Sequence, residues 1–176
     1  DKITPDSIFG CVKEVCEWDG KLYILPQEFK LDTCVIRENK LSPDETWNLN
    51  TFMDMNTSLN DAQQMFVNMN ADYVIDKLMP SIWEQFVDTE TKTCDFVSDD
   101  FIRVLHYIES LPTDAAASFE YGENPYITDT VMLYETTIGC YGDYAQSISI
   151  FDSYGEGKFV GYPSSTGGLA NDLCDQ

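Results

Sequence analysis

The segments of this chain that can form β-strands are few and lie far apart. Residues 31–37 (LDTCVIR), 131–134 (VMLY) and 159–162 (FVGY) are short apolar runs enriched in β-branched and aromatic residues. About 95 residues separate the first two, and most of that interval carries helical periodicity or helix-start signals. Such spacing predicts an α/β domain in which helices dominate. It also predicts strands that pair in parallel or mixed fashion under a helical cover.

Start and stop signals subdivide the helical interval. Thr4 and Pro5 suit the cap and first position of an opening helix whose stripe is Ile8, Phe9, Val12, Val15 and Cys16. Asp19-Gly20 marks a turn before a short strand at 22–25 that ends at Pro26. Ser42-Pro43-Asp44-Glu45 has the form of a capping box and should start a helix through Trp47 and Phe52 to about Asp54. A polar interruption at 56–60 precedes two helical pieces over 61–79, and Pro80 should begin a further short helix carrying Ile82, Trp83 and Phe86. Residues 88–95 read as a polar turn. Ser98 caps a helix whose apolar face is Phe101, Val104, Leu105, Ile108 and Leu111. A helix over 143–154 stops at Gly155.

With 176 residues, 43% of them hydrophobic, the chain suits one domain spanning 1–176 with a real core. No apolar run approaches the length of a membrane span, and the first residues lack the basic and apolar regions of a signal peptide. The charge balance excludes a partner class. Thirty-one acidic residues face ten basic ones, for a net charge of −21 spread along the chain. A field of that sign repels phosphate backbones and anionic lipids. The six cysteines, Cys11, Cys16, Cys34, Cys94, Cys140 and Cys174, show no zinc-type spacing, and their pairing stays open. No metal and no cofactor is expected.

His106, the single histidine, falls opposite the apolar stripe of its helix and should face solvent. The stretch 88–100 resembles a calcium loop but lacks the glycine at its sixth position, so it reads as a turn. Asn56-Thr57-Ser58 is an isolated sequon, and no nucleophile elbow, P-loop or dinucleotide fingerprint occurs. What stands out is aromatic residues beside polar ones in expected loops: Gln27, Glu28 and Phe29 after the first strand, and Tyr134 and Glu135 at the end of the strand at 131–134, with Tyr141 and Tyr144 within ten residues. Rings pack on the C–H face of a sugar while carboxylates and amides take its hydroxyls. Burial in the core is the competing explanation for the same aromatics.

Several motifs in register resemble the family 1 extracellular solute-binding proteins of bacterial ABC importers. EWDGKLYILP (17–26) is similar to that family's "DGKLYGLP" hinge segment. SPDETW (42–47) with Phe52 resembles its "P-x-TW-x-x-F" helix start, and FVDTETKTCDF (86–96) its "VDWETGKCDF" turn, with threonines in place of the Trp and Gly. VMLYE (131–135) resembles "KVLLYD", and GKFVGYPS (157–164) resembles "FVGFP". The resemblance implies the second lobe of a two-lobe, periplasmic-binding-protein-like (type II) fold, with 1–21 and 163–176 near hinge crossings to a first lobe. It implies a non-enzymatic, monomeric protein that binds a small solute, expected to be a carbohydrate. The family delivers such solutes to a permease from the cell surface, held there by a lipid anchor outside this chain. It places the solute contacts at Gln27, Glu28, Phe29, Tyr134, Glu135, Thr137 and Tyr141, with Trp83 a further candidate. Two alternatives remain at this level: a secreted glycosidase using Glu28 and Glu135 as a carboxylate pair, and a non-catalytic protein-interaction module.

Overall fold

The computed structural model describes residues 10–24, 28–41, 46–67, 69–113, 124–151, 157–164 and 172–174. It is a mixed α/β fold arranged around one strand, β3 (Lys30–Arg37). Residues Thr33 to Ile36 of β3 are buried on both faces of the sheet, which explains why they form a continuous run rather than an apolar–polar alternation. One edge of β3 pairs with β6 (Leu133–Ile138), from Leu31 opposite Ile138 to Ile36 opposite Leu133. The other edge pairs with β7 (Gly157–Phe159) and β8 (Asp172–Cys174).

All three pairings are antiparallel, which corrects the parallel or mixed sheet expected from strand spacing. A long helical connection is required between parallel strands, but it can equally return to the opposite end of the first strand. Among the described residues, parallel pairing survives only as the isolated bridges Asn48 to Ser164 and Gln64 to Val131.

Helices cover both faces. Cys34, Ile36 and Leu133 point into the main core, where they meet α2 (Leu49–Ser58), α3 (Ala71–Ile82) and α4 (Asp99–Ser110) through Phe52, Leu78, Ile82 and Val104. The opposite face lies under α5 (Tyr141–Ile148). There Thr136 Oγ1 and Ser147 Oγ are 3.0 Å apart, and the rings of Tyr144 and Phe159 stack at 5.3 Å.

The described part of the first helix, α1, is Gly10–Cys16, and the expected cap at Thr4 and Pro5 lies outside the described residues. Asp19 and Gly20 both have positive φ and join β1 (Glu17–Trp18) to β2 (Lys21–Leu22) in a tight hairpin. The strand expected at 22–25 is therefore shorter and earlier, because both central turn positions already adopt the twist a hairpin needs. Ser42 to Glu45 also lie outside the described residues. The helix that follows starts only at Leu49, where Asn48 Oδ1 accepts from Thr51 N at 3.0 Å, and it continues past Asp54 to Ser58. Trp47 stays outside it, buried, with Nε1 donating to Gly161 O at 3.1 Å.

The stretch 61–67 is not helical. Gln64 bridges Val131 instead, and α3 starts after Asn70, whose side chain accepts from Tyr73 N at 2.8 Å. Pro80 does not begin a new helix but sits inside the last turn of α3, and a single 3-10 turn, Trp83–Gln85, follows. One backbone bond lost near a helix end costs less than exposing Leu78 and Ile82, both buried against the sheet. The turn at 88–95 is a hairpin of β4 (Val87–Asp88) and β5 (Thr93–Cys94). In α4 Ser98 caps as expected, but Leu105 is exposed and Tyr107 takes its place against the core. Helix α5 starts two residues before the expected position and ends at Ile148. Among the described residues no helix is long and apolar enough to cross a membrane.

Space between the layers is tight at Gly157. A Cβ there would lie 2.8 Å from Ile148 Cα and 2.9 Å from Val35 Cγ1. Gly157→Ala is predicted to lower the unfolding free energy by about 1–3 kcal/mol in urea titrations, as overpacking does elsewhere.

Candidate functional site

The register of β3 against β6 assembles a polar face from two distant stretches of sequence. Residues opposite one another in an antiparallel pair share a face, and alternate residues along a strand do too. Asp32, Cys34, Glu135 and Thr137 therefore stand together on the α3 side. Thr137 Oγ1 donates to Asp32 Oδ1 at 2.6 Å. Two residues further in, the Glu135 carboxylate is held by three side chains. Tyr73 OH donates to Oε2 at 2.7 Å, Tyr162 OH donates to Oε1 at 2.5 Å, and Lys77 Nζ lies 3.6 Å from Oε1.

Helix spacing explains how α3 reaches this face. Tyr73, Lys77 and Ser81 follow at intervals of four, so they form one stripe. Ser81 Oγ extends the stripe to Pro163 O at 2.8 Å, beside Tyr162. The carboxylate thus ties the sheet, α3 and the segment after β7 together. Burial pushes both phenols well above the ordinary tyrosine range, and donation to Glu135 pushes them further, since an ionised phenolate would face a carboxylate.

Beyond Thr137 the strand ends in a rim. Gly139 N and Cys140 N donate to Asp143 Oδ2 at 2.9 and 3.0 Å, closing the entry to α5. These bonds hold the Asp143 carboxyl below its usual range, the Gly139 amide first, with nearby Lys30 adding to the effect. The Lys30 stem runs over Gly139, where an added Cβ would lie 3.3 Å from Lys30 Cγ. Tyr141 follows at 81% exposure.

The fold brings some of the sequence-predicted site residues together and disperses others. Glu28 and Phe29, both exposed, lead into β3 at the end where Thr137 and Tyr141 leave β6, and Glu135 lies just inside. Tyr144 stands one turn into α5, with its ring 6.1 Å from that of Tyr141 and stacked on Phe159. Tyr134 points to the opposite face of the sheet, where its ring meets Tyr126 edge-on at 5.1 Å. Trp83 belongs to a different region: ten residues of helix separate it from Tyr73, roughly 15 Å along the axis. Gln27 lies outside the described residues. Asp32, Tyr73, Lys77 and Tyr162 carry no local motif that marks them as site residues. Asp32 does break an otherwise apolar strand run, and Tyr73 and Lys77 share a helix face, but only the tertiary register points both at Glu135.

No protein-family profile matches the chain, and no curated protein does. Solved structures that resemble it in part include two sugar-related binding proteins. One is the GacH receptor of Streptomyces glaucescens, crystallised unliganded and in complex with acarbose and an acarbose homolog. It is 14% identical with a TM-score of 0.44, and the match covers 91% of this chain and 44% of the receptor. The other is a chitin oligosaccharide binding protein, 11% identical with a TM-score of 0.43, over 91% of this chain and 46% of that one. The chain spans less than half the length of either.

Tyr162→Phe and Tyr73→Phe are each predicted to lower stability by about 1–3 kcal/mol, the range for a lost hydrogen bond to a charged group, read by urea denaturation at neutral pH. A proton held more tightly in the folded chain than in the unfolded one stabilises the fold below the ordinary phenol value of 10.0. That stabilisation is lost progressively as pH rises above it. The unfolding free energy should therefore fall above pH 10, and the fall should be shallower in the double Phe variant.

Proposed function

We propose that this chain is one lobe of a two-lobe extracellular solute-binding protein and that the edge bearing Phe29, Asp32, Thr137 and Tyr141 grips a neutral carbohydrate. The observation that carries this reading is the β3–β6 register. It sets Asp32 beside Thr137 from segments about 100 residues apart in sequence, with exposed Phe29 preceding β3 and exposed Tyr141 following β6 at that same end of the strand pair. Rings supply flat apolar faces, and oxygen-rich side chains supply directional hydrogen bonds, which together suit a polyhydroxylated ring.

A second feature supports a two-lobe protein. The β1–β2 hairpin formed by the hinge-like motif leaves Trp18, Tyr23 and Ile24 exposed together. Large apolar side chains left exposed near one hairpin fit a face that packs on another lobe. Delivery to a membrane permease, surface anchoring through lipid and a monomeric state extend the same proposal. Hydrolysis is disfavoured, because both oxygens of Glu135 already accept phenol hydrogens, leaving it poorly placed as a proton donor toward a glycosidic oxygen.

Calorimetric titration with acarbose and with chitin trisaccharide tests the proposal. Half a cleft covers one side of a ligand, so saturable binding is expected in about the millimolar range. Tyr141→Ala, at a position the fold hardly buries, should weaken binding about tenfold while leaving thermal unfolding unchanged. Release of shortened sugars during the titration, or an unchanged affinity in this variant, would sink the assignment.

A further inference from the structure

A second surface, remote from the carbohydrate edge, has features of its own. Where α3 ends, Trp83, Phe96 and Val97 are 42%, 40% and 84% exposed. The Phe96 ring lies between Trp83 at 5.8 Å and Phe101 at 4.9 Å, and Phe101 packs edge-on against buried Phe86 at 5.1 Å. The rings are thus anchored to the core rather than loosely splayed.

The backbone around them is equally fixed. Phe86 N donates to Trp83 O at 2.9 Å, and Asp95 N donates to Phe86 O at 2.8 Å, closing the base of the β4–β5 hairpin. At its tip Asp88 Oδ1 accepts from Glu90 N and Thr91 N at 2.9 and 3.0 Å. An apolar surface held in place this firmly cannot fold itself away from water, so its hydration cost persists until a partner covers it.

Charge narrows the partner. Between Trp83 and Asp100 the chain carries six acids, Glu84, Asp88, Glu90, Asp95, Asp99 and Asp100, against Lys92. Asp88 staples the hairpin, and Asp99 and Asp100 favour the start of α4, but Glu84, Glu90 and Asp95 have no such role. The next cation along α4, Arg103, is engaged by Asp54 at 2.7 Å and Asn50 at 2.8 Å. A nucleic acid or an anionic membrane would be repelled. A second copy of this chain would set the same acids against each other across a two-fold contact. A neutral sugar would cover the rings and leave the charge uncompensated.

We propose that this face docks a protein partner whose contact surface presents an apolar side chain ringed by Lys or Arg. The proposal is independent of the carbohydrate reading. It is tested by calorimetric titration with two synthetic peptides of equal positive charge, one alternating Lys with Leu and one alternating Lys with Ser, at about 0.15 M salt, where diffuse attraction is largely screened. The Leu peptide is expected to bind at least tenfold more tightly (about 1.4 kcal/mol). Phe96→Ser should abolish that preference, and Val97→Ser, at a site the fold leaves open, should reduce it about threefold. Glu84→Gln with Asp95→Asn should weaken the Leu peptide and flatten its salt dependence. Equal affinity for the two peptides, or a preference unaffected by Val97→Ser in a folded protein, would overturn the proposal. So would chitin trisaccharide competing the Leu peptide away in the Tyr141→Ala variant.

Discussion

Burial of β3 on both faces and hydrogen bonding along both of its edges is the constraint from which the other arrangements follow. Thr33 to Ile36 cannot be shielded by one layer, so helices must pack above and below the sheet. Leu31 to Ile36 must find backbone partners, and β6 supplies them along one edge. This pairing brings residues near position 32 beside residues near position 137. Without it, the acids, hydroxyls and rings at that edge would be unrelated surface groups.

Glu135 is the point where the layers are tied by polar bonds. It projects from β6 and collects donors from α3 and from the segment after β7. A carboxylate partly removed from water is costly unless its lone pairs are occupied, and two phenols with a nearby ammonium meet that need. The same arrangement gives Glu135 a positioning character. It stands behind Asp32 and Thr137, whereas Phe29 and Tyr141 at the outer rim are exposed. The fold therefore separates a tethered carboxylate from the exposed residues that the sequence pattern grouped with it.

Two sets of exposed apolar groups stand at the two short hairpins. Trp18, Tyr23 and Ile24 surround the β1–β2 hairpin, and Trp83, Phe96 and Val97 surround the base of the β4–β5 hairpin. Short hairpins carry little core of their own and present side chains outward. The acidic surround of the second set distinguishes it electrostatically from the β3–β6 end near Thr137. There Lys30 lies alongside Asp143 and mixes the charge.

The sequence by itself determined the class of fold, the strand at 31–37 and the Ser98 cap, because local propensity and capping chemistry are properties of short stretches. It also marked Glu28, Phe29, Thr137 and Tyr141, whose exposed positions near strand ends follow from local pattern. Strand direction, the shift of the second helix start to Asn48, the absorption of Pro80 into α3 and the convergence of Tyr73, Lys77 and Tyr162 on Glu135 came only with the tertiary structure. So did the dispersal of Tyr134 and Trp83 away from the edge. Each of these depends on contacts between residues tens of positions apart, where packing of buried side chains and satisfaction of backbone bonds outweigh the fraction of a kilocalorie by which local propensities differ.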